Sequence, residues 1–455
     1  MRWGLILCIV IAACQGPVSY QLSTVAAEEQ FYASAQELTD IMVYDIFSPP
    51  QASRVYAYAH LAAYETLQQG HPTYSSLVPQ LNGNLHLPPL PSDTIHQALA
   101  AIVAFQEVSR NLVYSYDRME AWQRRWLDTL RHRGMAPELL QRSVAHGRAV
   151  ADSVLFYADR DGYDYIRSLP RYTVTHEPGQ WKPTPPGYMD AIDPNWNKLR
   201  AFTLDSADQF QPPRPTTYDP APGSLFYQEM LEVYDAINQL TPEQQDIASF
   251  WDCNPYVAYT QGHFMMGTKK ITPGGHWMGI AQTVCEQEDF SLVRAAHVLT
   301  VTAIALADGF ISCWDEKYRS NYIRPETAIN QLHDPDWRPL LQTPPFPEYT
   351  SGHSVISTAA ATVLTGMLGE VAYIDSVEVP YGLPARSYTS FLEASQEAAI
   401  SRLYGGIHFM PAIDNGVTQG QKVGQHVLRT LGLQIQNYAT TVEDTAPAVA
   451  VGMPE

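Results

Sequence analysis

The chain has 455 residues, a formal net charge of −19 and a hydrophobic fraction of 45%. This length is ample for one large or two modest domains with a buried core. The acidic balance argues against nucleic acid or an anionic membrane surface as partner, because such partners need a basic protein face.

The first twenty residues carry one arginine and then an apolar run at residues 3–13 that is too short to span a bilayer. This pattern is typical of a secretion signal. Residues 11–14, IAAC, resemble the processing box of bacterial lipoproteins, which implies an acylated Cys14. Simple cleavage near this point, or after Gly16, is the alternative. We predict an exported cell-envelope lipoprotein, periplasm-facing or on the cell surface, that meets a membrane surface only through its lipid anchor.

The five cysteines are Cys8, Cys14, Cys253, Cys285 and Cys313, and none forms a C-x-x-C pair. Their odd number and wide spacing predict no disulfide framework and no zinc site. Buried free thiols are favoured over a single bonded pair.

In the first third of the chain, apolar residues recur at helical spacing. The predicted helices cover residues 28–47, 51–69, 92–116, 118–133 and 137–158, with Ser92 as the cap of the third. Residues 163–224 are dense in Pro, Tyr, Trp and Asp without periodicity. They predict a long ordered loop region, of the kind that often covers a functional site.

The second half is again helical, and its longest predicted helix, residues 291–318, is apolar nearly all round and should be central. Further predicted helices cover residues 225–240, 276–288 and 415–431. Three more start at 241, ending near 250–255, at 351, and at 390, the last of which carries Arg402. Two of them begin at capping boxes, at Thr241 and Ser390. No strand alternation of any length is present, so the fold class is predicted as all-α. No apolar stretch outside the signal is predicted to approach the length that spans a membrane, which would exclude an integral-membrane protein.

These patterns predict an N-terminal helical bundle and a C-terminal helical core joined by the loop region. The predicted boundaries are a signal peptide at 1–13, a lipid-anchor tether at 14–27, the bundle at 28–162, the loop region at 163–224, the core at 225–439 and a flexible tail at 440–455.

Two cationic side chains lie at and just beyond the end of the long helix. Lys317 and Arg324 are seven residues apart, so in a helix both would leave the same face. Pro325 is predicted to end that helix, because a proline pushes the preceding residue out of α geometry and frees Arg324 to reach a ligand.

The sequence TSGH then places a helix start at Ser351. Unpaired backbone N–H groups at a helix N-terminus bind anions, and Gly352 lets the backbone come close. The hydroxyl of Ser351 can donate to an oxyanion, while His353 is placed to transfer a proton.

A third segment contains Arg402, a bidentate partner for oxyanion oxygens, and His408. Gly405 and Gly406 lie between them and allow the helix to bend or stop. Taken together, the three segments predict a site that neutralises a multiply charged tetrahedral oxyanion and leaves one histidine to bond its central atom.

The pattern K-x6-RP, then SGH, then SR-x5-H resembles the type 2 phosphatidic acid phosphatase superfamily, which includes the vanadium-dependent haloperoxidases and bacterial acid phosphatases. The match covers about a hundred residues. Thr350 stands where the family usually has proline. Asp414 is six residues after His408 rather than the four of the phosphatase pattern, and it is a candidate to orient that histidine.

The resemblance implies one of two reactions. With phosphate in the site, His408 would attack phosphorus and form a phosphohistidine while His353 protonates the leaving group of a phosphomonoester. With vanadate as cofactor, His408 would bond the metal, and hydrogen peroxide would oxidise a halide, iodide or bromide above all, with His353 handling protons. In both, Lys317, Arg324 and Arg402 would hold oxyanion oxygens with Ser351 and Gly352.

Flanking residues favour the haloperoxidase. Trp314 and Phe346 fall where the resemblance implies an aromatic pair on the halide side, although a Trp and a Phe are more often core residues. The long helical N-terminal half also resembles haloperoxidases rather than small acid phosphatases. Asp252 is a candidate to orient Arg402, with a plain helix-end role equally open. A protein that binds the anion without turnover is a third possibility.

Overall fold

The computed structural model describes residues 20–175, 177–261 and 263–433. The predicted signal peptide, Cys14 and the tail at 440–455 lie outside this range. Fourteen α-helices occur in the described residues, so the prediction of an all-α fold is confirmed.

The helices of the first half are close to the predicted ones. They are α1 (Thr24–Tyr44), α2 (Pro49–Gln68), α3 (Gln97–Leu112), α4 (Tyr116–His132), α5 (Pro137–Ala158) and the short α6 (Tyr163–Ser168). Ser48 caps α2 just before its two prolines, as expected for proline in a first helical turn. Ser92 does not cap α3: the side chain of His96 accepts from the amide of Leu99 instead. That prediction was wrong by one helical turn.

The helices of the second half follow the loop region. They are α7 (Leu225–Asn238), α8 (Pro242–Phe250), α9 (Pro273–Gln287), α10 (Leu292–Ser320), α11 (Pro325–Leu332), α12 (Gly352–Leu368), α13 (Phe391–Tyr404) and α14 (Met410–Thr430). The capping box at Thr241 is formed, with both of its hydrogen bonds to Gln244.

Two small antiparallel hairpins interrupt the helices. They are β1 (Tyr256–Gln261) with β2 (Phe264–Lys269), and β3 (Tyr373–Asp375) with β4 (Arg386–Tyr388). No strand is predicted from the sequence. Strands this short carry too few alternating residues to be separated from loops by pattern alone.

The long helix α10 is central, as predicted, and packs against α2, α9, α12 and α14. One continuous hydrophobic core therefore runs through both halves of the chain. Inside this core the carboxylate of Asp308 accepts hydrogen bonds from the backbone amides of Phe202 and Thr203, at 2.7 and 2.8 Å. These bonds fasten the loop region to the central helix.

By length and composition α10 passes a test for a membrane-spanning helix, with a mean hydropathy of 1.6 over its most apolar window. The prediction that no other segment approaches that length was therefore wrong. The whole of that window is buried against other helices of the protein. Its apolar character is accounted for by its place in the core.

Helix α10 ends at Ser320, two residues beyond the predicted bound of 318 but before Pro325, which was predicted to end it. Asn321 adopts a left-handed conformation, with φ 46°, and closes the helix after Ser320. Pro325 begins α11 instead of ending α10, because proline is favoured in a first helical turn. Arg324 is the extended residue just before α11, so Lys317 and Arg324 do not share one helix.

Helices α12 and α14 approach each other closely through glycines. A Cβ atom on Gly420 would lie 2.2 Å from the carbonyl oxygen of Val355, a backbone atom that cannot swing aside. Gly416 and Gly424 make similarly close approaches one turn away on either side. Small residues therefore set the spacing of the two helices that flank the predicted site.

Candidate active site

The predicted oxyanion residues come together although they lie up to 91 positions apart. They occupy the last turn of α10, the start of α11, the first turn of α12, the last turn of α13 and the loop before α14. We call this group the oxyanion site: Lys317, Arg324, Ser351, Gly352, His353, Arg402 and His408.

Lys317 is fully buried beneath the segment that leads into α12. Its ammonium group donates to the backbone carbonyls of Pro347, Glu348 and Thr350, at 3.1, 3.0 and 2.5 Å. Burial lowers the pKa of Lys317 to about 7. The lysine is thus held in place by carbonyl oxygens and has no carboxylate that fixes its charge.

Both arginines are also buried and oriented by backbone oxygens. Arg324 donates to the carbonyls of Phe346 and Ile407, each at 2.9 Å, and Arg402 donates to the carbonyl of Trp251 at 2.5 Å. Burial lowers the pKa of each arginine to about 10, which still leaves both charged at neutral pH. The Nη2 atom of Arg324 is buried and has no hydrogen-bond partner in the described residues.

His408 is held between a cation and a carboxyl group. Its Nδ1 lies 2.7 Å from Oε1 of Glu348, and its Nε2 accepts from Nη1 of Arg324 at 3.2 Å. The proton therefore belongs on Nδ1, and Nε2 presents a lone pair. Burial, with the charges of Arg324 and Lys317, holds the pKa of His408 well below its usual range.

Glu348 was missed by the sequence analysis, and Asp414 was named in its place. Asp414 is exposed on α14 and makes no hydrogen bond to His408. Glu348 also accepts from the amide of Phe409, at 3.1 Å, and burial raises the pKa of this carboxyl to about 8. Its position three residues before Ser351, inside a segment already singled out, was the available signal.

His353 occupies the first turn of α12, where it was predicted. Its Nε2 is buried and has no partner in the part of the chain that the structure describes. A hydrogen bond to the backbone of Trp251 must then involve Nδ1. Burial and the charge of Arg402 hold the pKa of His353 well below its usual range, so the imidazole is neutral and can accept a proton at Nε2.

Ser351 is the N-cap of α12, as predicted, and its hydroxyl oxygen accepts from the amide of Ser354 at 3.3 Å. A Cβ atom on Gly352 would meet only ordinary contacts, the nearest being Trp314 at 3.7 Å. Thr350, which replaces the usual proline, donates its hydroxyl to Gln419 on α14 at 2.7 Å. The threonine thus ties this turn to the neighbouring helix.

The predicted aromatic pair is formed, with the rings of Trp314 and Phe346 5.0 Å apart. The ammonium group of Lys317 lies 4.9 Å from the centre of the Phe346 ring. Asp252 pairs with Lys270 at 2.7 Å and makes no hydrogen bond to Arg402. Its charge acts on Arg402 only through space, where it partly offsets the effect of burial.

A cavity of about 150 Å³ opens onto this group. Its lining includes His353, Arg402, His408, Trp314 and Phe346, and the remainder is mostly apolar. A larger cavity, of about 260 Å³, lies between α1, α2 and α9 and contains none of the predicted site residues. The smaller cavity is therefore the candidate active-site cavity, because it contains the predicted catalytic histidines.

The residues of the oxyanion site fit a tetrahedral oxyanion bonded to a histidine. Within the described residues the buried Nη2 of Arg324 lacks a partner, and Lys317, Arg324 and Arg402 donate to backbone carbonyls rather than forming salt bridges with carboxylates. Each of these features costs free energy unless an anion satisfies it. The Nε2 lone pair of neutral His408 supplies the one ligand atom that such a group needs.

The chain is similar to known proteins of one enzyme family. Residues 297–437 match the family model described as the second helical-bundle domain of vanadium chloroperoxidase. The crystal structure of the first bacterial vanadium-dependent iodoperoxidase is 48% identical, with a TM-score of 0.84, and the match covers 89% of this chain and 96% of that one. The chain belongs to the vanadium-dependent haloperoxidases.

More distant members of this haloperoxidase family share the fold. The holo form of a bacterial vanadium-dependent chloroperoxidase is 17% identical to this chain, with a TM-score of 0.65. The match covers 86% of this chain and 94% of the chloroperoxidase chain. The apo form matches with a TM-score of 0.62 at the same identity. None of the curated proteins compared matches the chain. The prediction of a haloperoxidase-type enzyme, made from the three motifs, the flanking aromatic pair and the long helical N-terminal half, is confirmed.

Proposed function

We propose that this haloperoxidase binds vanadate in the oxyanion site and uses hydrogen peroxide to oxidise iodide. The observation that carries the proposal is the neutral His408, whose Nε2 faces buried cations that form no salt bridge with a carboxylate of the described residues. The relative at 48% identity, an iodoperoxidase, supports iodide as the halide.

The chain's own residues have separate parts in this proposal. Lys317, Arg324 and Arg402 would neutralise the vanadate oxygens, with the hydroxyl of Ser351 and the amide of Gly352 as neutral donors. His408 would bond the metal through Nε2, while Glu348 holds its Nδ1–H. Bound vanadate supplies a Lewis acid that activates hydrogen peroxide toward a halide.

His353 is the proton acceptor in this scheme. Its Nε2 is unpartnered, its ring is neutral, and its hydrogen bond to the backbone of Trp251 fixes the orientation of the imidazole. A neutral histidine at this position can take a proton from hydrogen peroxide as the peroxide enters and return one to the product.

Trp314 and Phe346 supply an apolar wall for the halide. Iodide is large and weakly hydrated, so contact with aromatic rings costs it less desolvation than it would cost a smaller halide. We therefore expect iodide to be preferred over bromide, with both tested side by side.

One assay tests the proposal. The protein is stripped of bound anions, then assayed for iodide oxidation by hydrogen peroxide with and without stoichiometric vanadate, and again in excess phosphate. We expect activity only with vanadate and its loss in phosphate, because the two anions share shape and charge. If the vanadate-loaded protein leaves iodide untouched while the stripped protein hydrolyses a phosphomonoester through His408, the proposal is wrong and the enzyme is a phosphatase.

The place of action is a separate proposal. The apolar run at residues 3–13 and the IAAC box support an exported protein anchored to the cell envelope by lipid on Cys14. Small-molecule substrates would reach such an enzyme without crossing the inner membrane.

A further inference from the structure

Four side chains outside the oxyanion site form a second buried group beneath the turn that follows α8. Cys253 lies in that turn, His276 in the first turn of α9, Asp375 in β3, and Glu378 just after it. None of the four is more than 2% exposed. We call them the buried thiol cluster.

Three ligand atoms of this cluster point at one another. The Sγ atom of Cys253 lies 3.3 Å from Nδ1 of His276 and 3.6 Å from Oε1 of Glu378, and the latter two atoms are 3.1 Å apart. We propose that Cys253, His276 and Glu378 bind a divalent transition-metal ion, Zn²⁺ by its ligand chemistry, at a site separate from the oxyanion site.

The three separations are those of a tetrahedral zinc site. Zinc binds sulfur at about 2.3 Å and nitrogen or oxygen at about 2.0–2.1 Å, so neighbouring ligands in a tetrahedron are about 3.3–3.6 Å apart. The measured edges of 3.1, 3.3 and 3.6 Å fall close to that range. Three protein ligands would leave one position for water.

Asp375 completes the arrangement from the other side of the imidazole. Nε2 of His276 donates to Oδ2 of Asp375 at 2.7 Å, and the other carboxylate oxygen accepts from the amide of Val377. A histidine that binds a metal through one nitrogen usually donates its other N–H to such a carboxylate. In the metal-bound form the proton would stay on Nε2, and Nδ1 would present the lone pair that a metal requires.

The backbone conformation of Cys253 also supports a metal site. Cys253 has φ 42°, a left-handed conformation that is uncommon for a residue other than glycine, asparagine or aspartate. This conformation turns the thiol inward toward the ring of His276. The indole of Trp251 stacks on that ring, with centroids 4.6 Å apart, and closes the cluster from above.

The two sites select different ions because their side chains differ in charge and chemistry. The oxyanion site is cationic and selects anions, whereas the buried thiol cluster offers a thiol, an imidazole and a carboxyl group and selects a borderline-soft cation. Trp251 connects them, since its carbonyl accepts from Arg402 and its backbone bonds His353. A metal in the cluster would thus stiffen the turn that orients two residues of the oxyanion site.

A metal-free arrangement is the competing explanation. In it, His276 is doubly protonated and bridges Asp375 and Glu378 as an ion pair, with Cys253 as a neutral thiol. The two explanations differ in what Cys253 does, because only the metal site needs its thiolate.

The test measures Zn²⁺ retained by the full-length protein after incubation with the metal and removal of unbound ion. We expect stoichiometric zinc in the wild type and in His408→Ala, and loss of zinc in Cys253→Ser. Asp375→Asn should weaken zinc affinity by about 10- to 100-fold, as loss of such a supporting carboxylate typically does. Cys285→Ala, which removes a buried thiol distant from the cluster, is the matched control and should retain zinc.

Cobalt gives a second readout that does not depend on a variant folding well. Wild-type protein loaded with Co²⁺ should show the near-ultraviolet charge-transfer absorption of a cobalt–thiolate bond, and Cys253→Ser should lack it. The proposal is overturned if the wild type retains no more zinc than Cys253→Ser, or if its cobalt complex lacks the thiolate band. Either result would leave the bridged ion pair as the explanation.

Discussion

The two histidines of the oxyanion site are both neutral, yet their free nitrogens have different surroundings. Nε2 of His408 already meets the guanidinium of Arg324, whereas Nε2 of His353 meets no partner in the described residues. The first is therefore placed to bond a metal within a cationic group, and the second to exchange protons.

Substituting each histidine should separate these two parts. His408→Ala should abolish vanadate binding, because it removes the ligand atom. His353→Ala should leave vanadate affinity nearly unchanged and lower turnover by roughly a hundredfold or more, the usual effect of losing a general acid–base group. Vanadate affinity and iodide oxidation are measured on both variants. Equal loss of affinity in the two would refute this division.

Glu348 should act on vanadate through His408. Glu348→Gln replaces the acceptor of the Nδ1 proton by an amide that can turn its NH2 toward the ring, so His408 loses its fixed tautomer and orientation and vanadate affinity should fall by about 10- to 100-fold. Asp414→Asn is the control, since that carboxylate is exposed and lies apart from the imidazole. Equilibrium titration with vanadate checks both variants. A larger loss in Asp414→Asn than in Glu348→Gln would contradict the assignment.

Anion affinity should fall as the pH rises above neutrality. The pKa of Lys317 in the free protein is about 7, and a bound anion raises it, so binding above pH 7 must take up a proton. Glu348, whose pKa is about 8, gains a negative charge over the same range and adds to the loss. Below about pH 6 Lys317 is almost fully protonated and Glu348 is neutral, so affinity should be level there.

Tungstate is a suitable probe for this pH dependence, because it is a tetrahedral oxyanion that does not itself titrate near neutral pH. The expected decline approaches tenfold per pH unit for each proton taken up. Calorimetry in buffers of different ionisation enthalpy measures that uptake directly. Affinity that rises with pH would mean that Lys317 keeps its charge through the range.

At the scale of elements, the oxyanion site depends on how closely α12 and α14 approach. Ser351 donates its amide to the carbonyl of Ala412 at 3.0 Å, which joins the start of one helix to the start of the other. The glycines of α14 permit this contact, because larger residues would push the helices apart.

Gly420→Ala should therefore destabilise the protein in spite of the better helix propensity of alanine. Its Cβ would lie 2.2 Å from the carbonyl oxygen of Val355, and relief of such overpacking typically costs about 1–3 kcal/mol. Denaturant unfolding measures the change. The control is Gly274→Ala in α9, where the nearest atom is 3.7 Å away and alanine should be neutral or mildly stabilising. Equal effects of the two substitutions would contradict the packing argument.

Sequence patterns locate most helices because an amphipathic or fully apolar period is a local property of the chain. They fail where a single residue decides a boundary, as when Asn321 closes α10 and Pro325 opens α11. Motifs locate the oxyanion residues for a similar reason, since each motif is contiguous. Glu348 and the buried thiol cluster were missed because their partners are brought together only by packing, with His276 99 positions from Asp375.

The whole molecule combines a strongly acidic chain with a small buried group of cations. The net charge is −19, and the three cationic side chains of the oxyanion site are hidden from solvent. Screening by salt acts mainly on exposed charges, so the cations of the site act at short range on an anion that has already entered the cavity.

We expect the membrane association of the whole protein to depend on the sulfur atom of Cys14. Cys14→Ser removes the sulfur that lipid would occupy, so the chain should move from the membrane fraction to the soluble fraction while its iodide oxidation is unchanged. Fractionation of cells and the mass of the mature N-terminus test this. Unchanged partitioning of the variant would show that Cys14 is not the anchor.

If the chain is exported, as its first residues predict, Asp308 has a second role during translocation. An unfolded chain that passes through a translocon presents α10 as an apolar segment long enough to stop there and partition into lipid. An aspartate near the middle of such a segment opposes insertion by about 2.5–3.5 kcal/mol. After folding, the same carboxylate is satisfied by the amides of Phe202 and Thr203. The Asp308 carboxylate, which fastens the loop region to α10 in the folded protein, would thus also oppose insertion of α10 into the membrane during export.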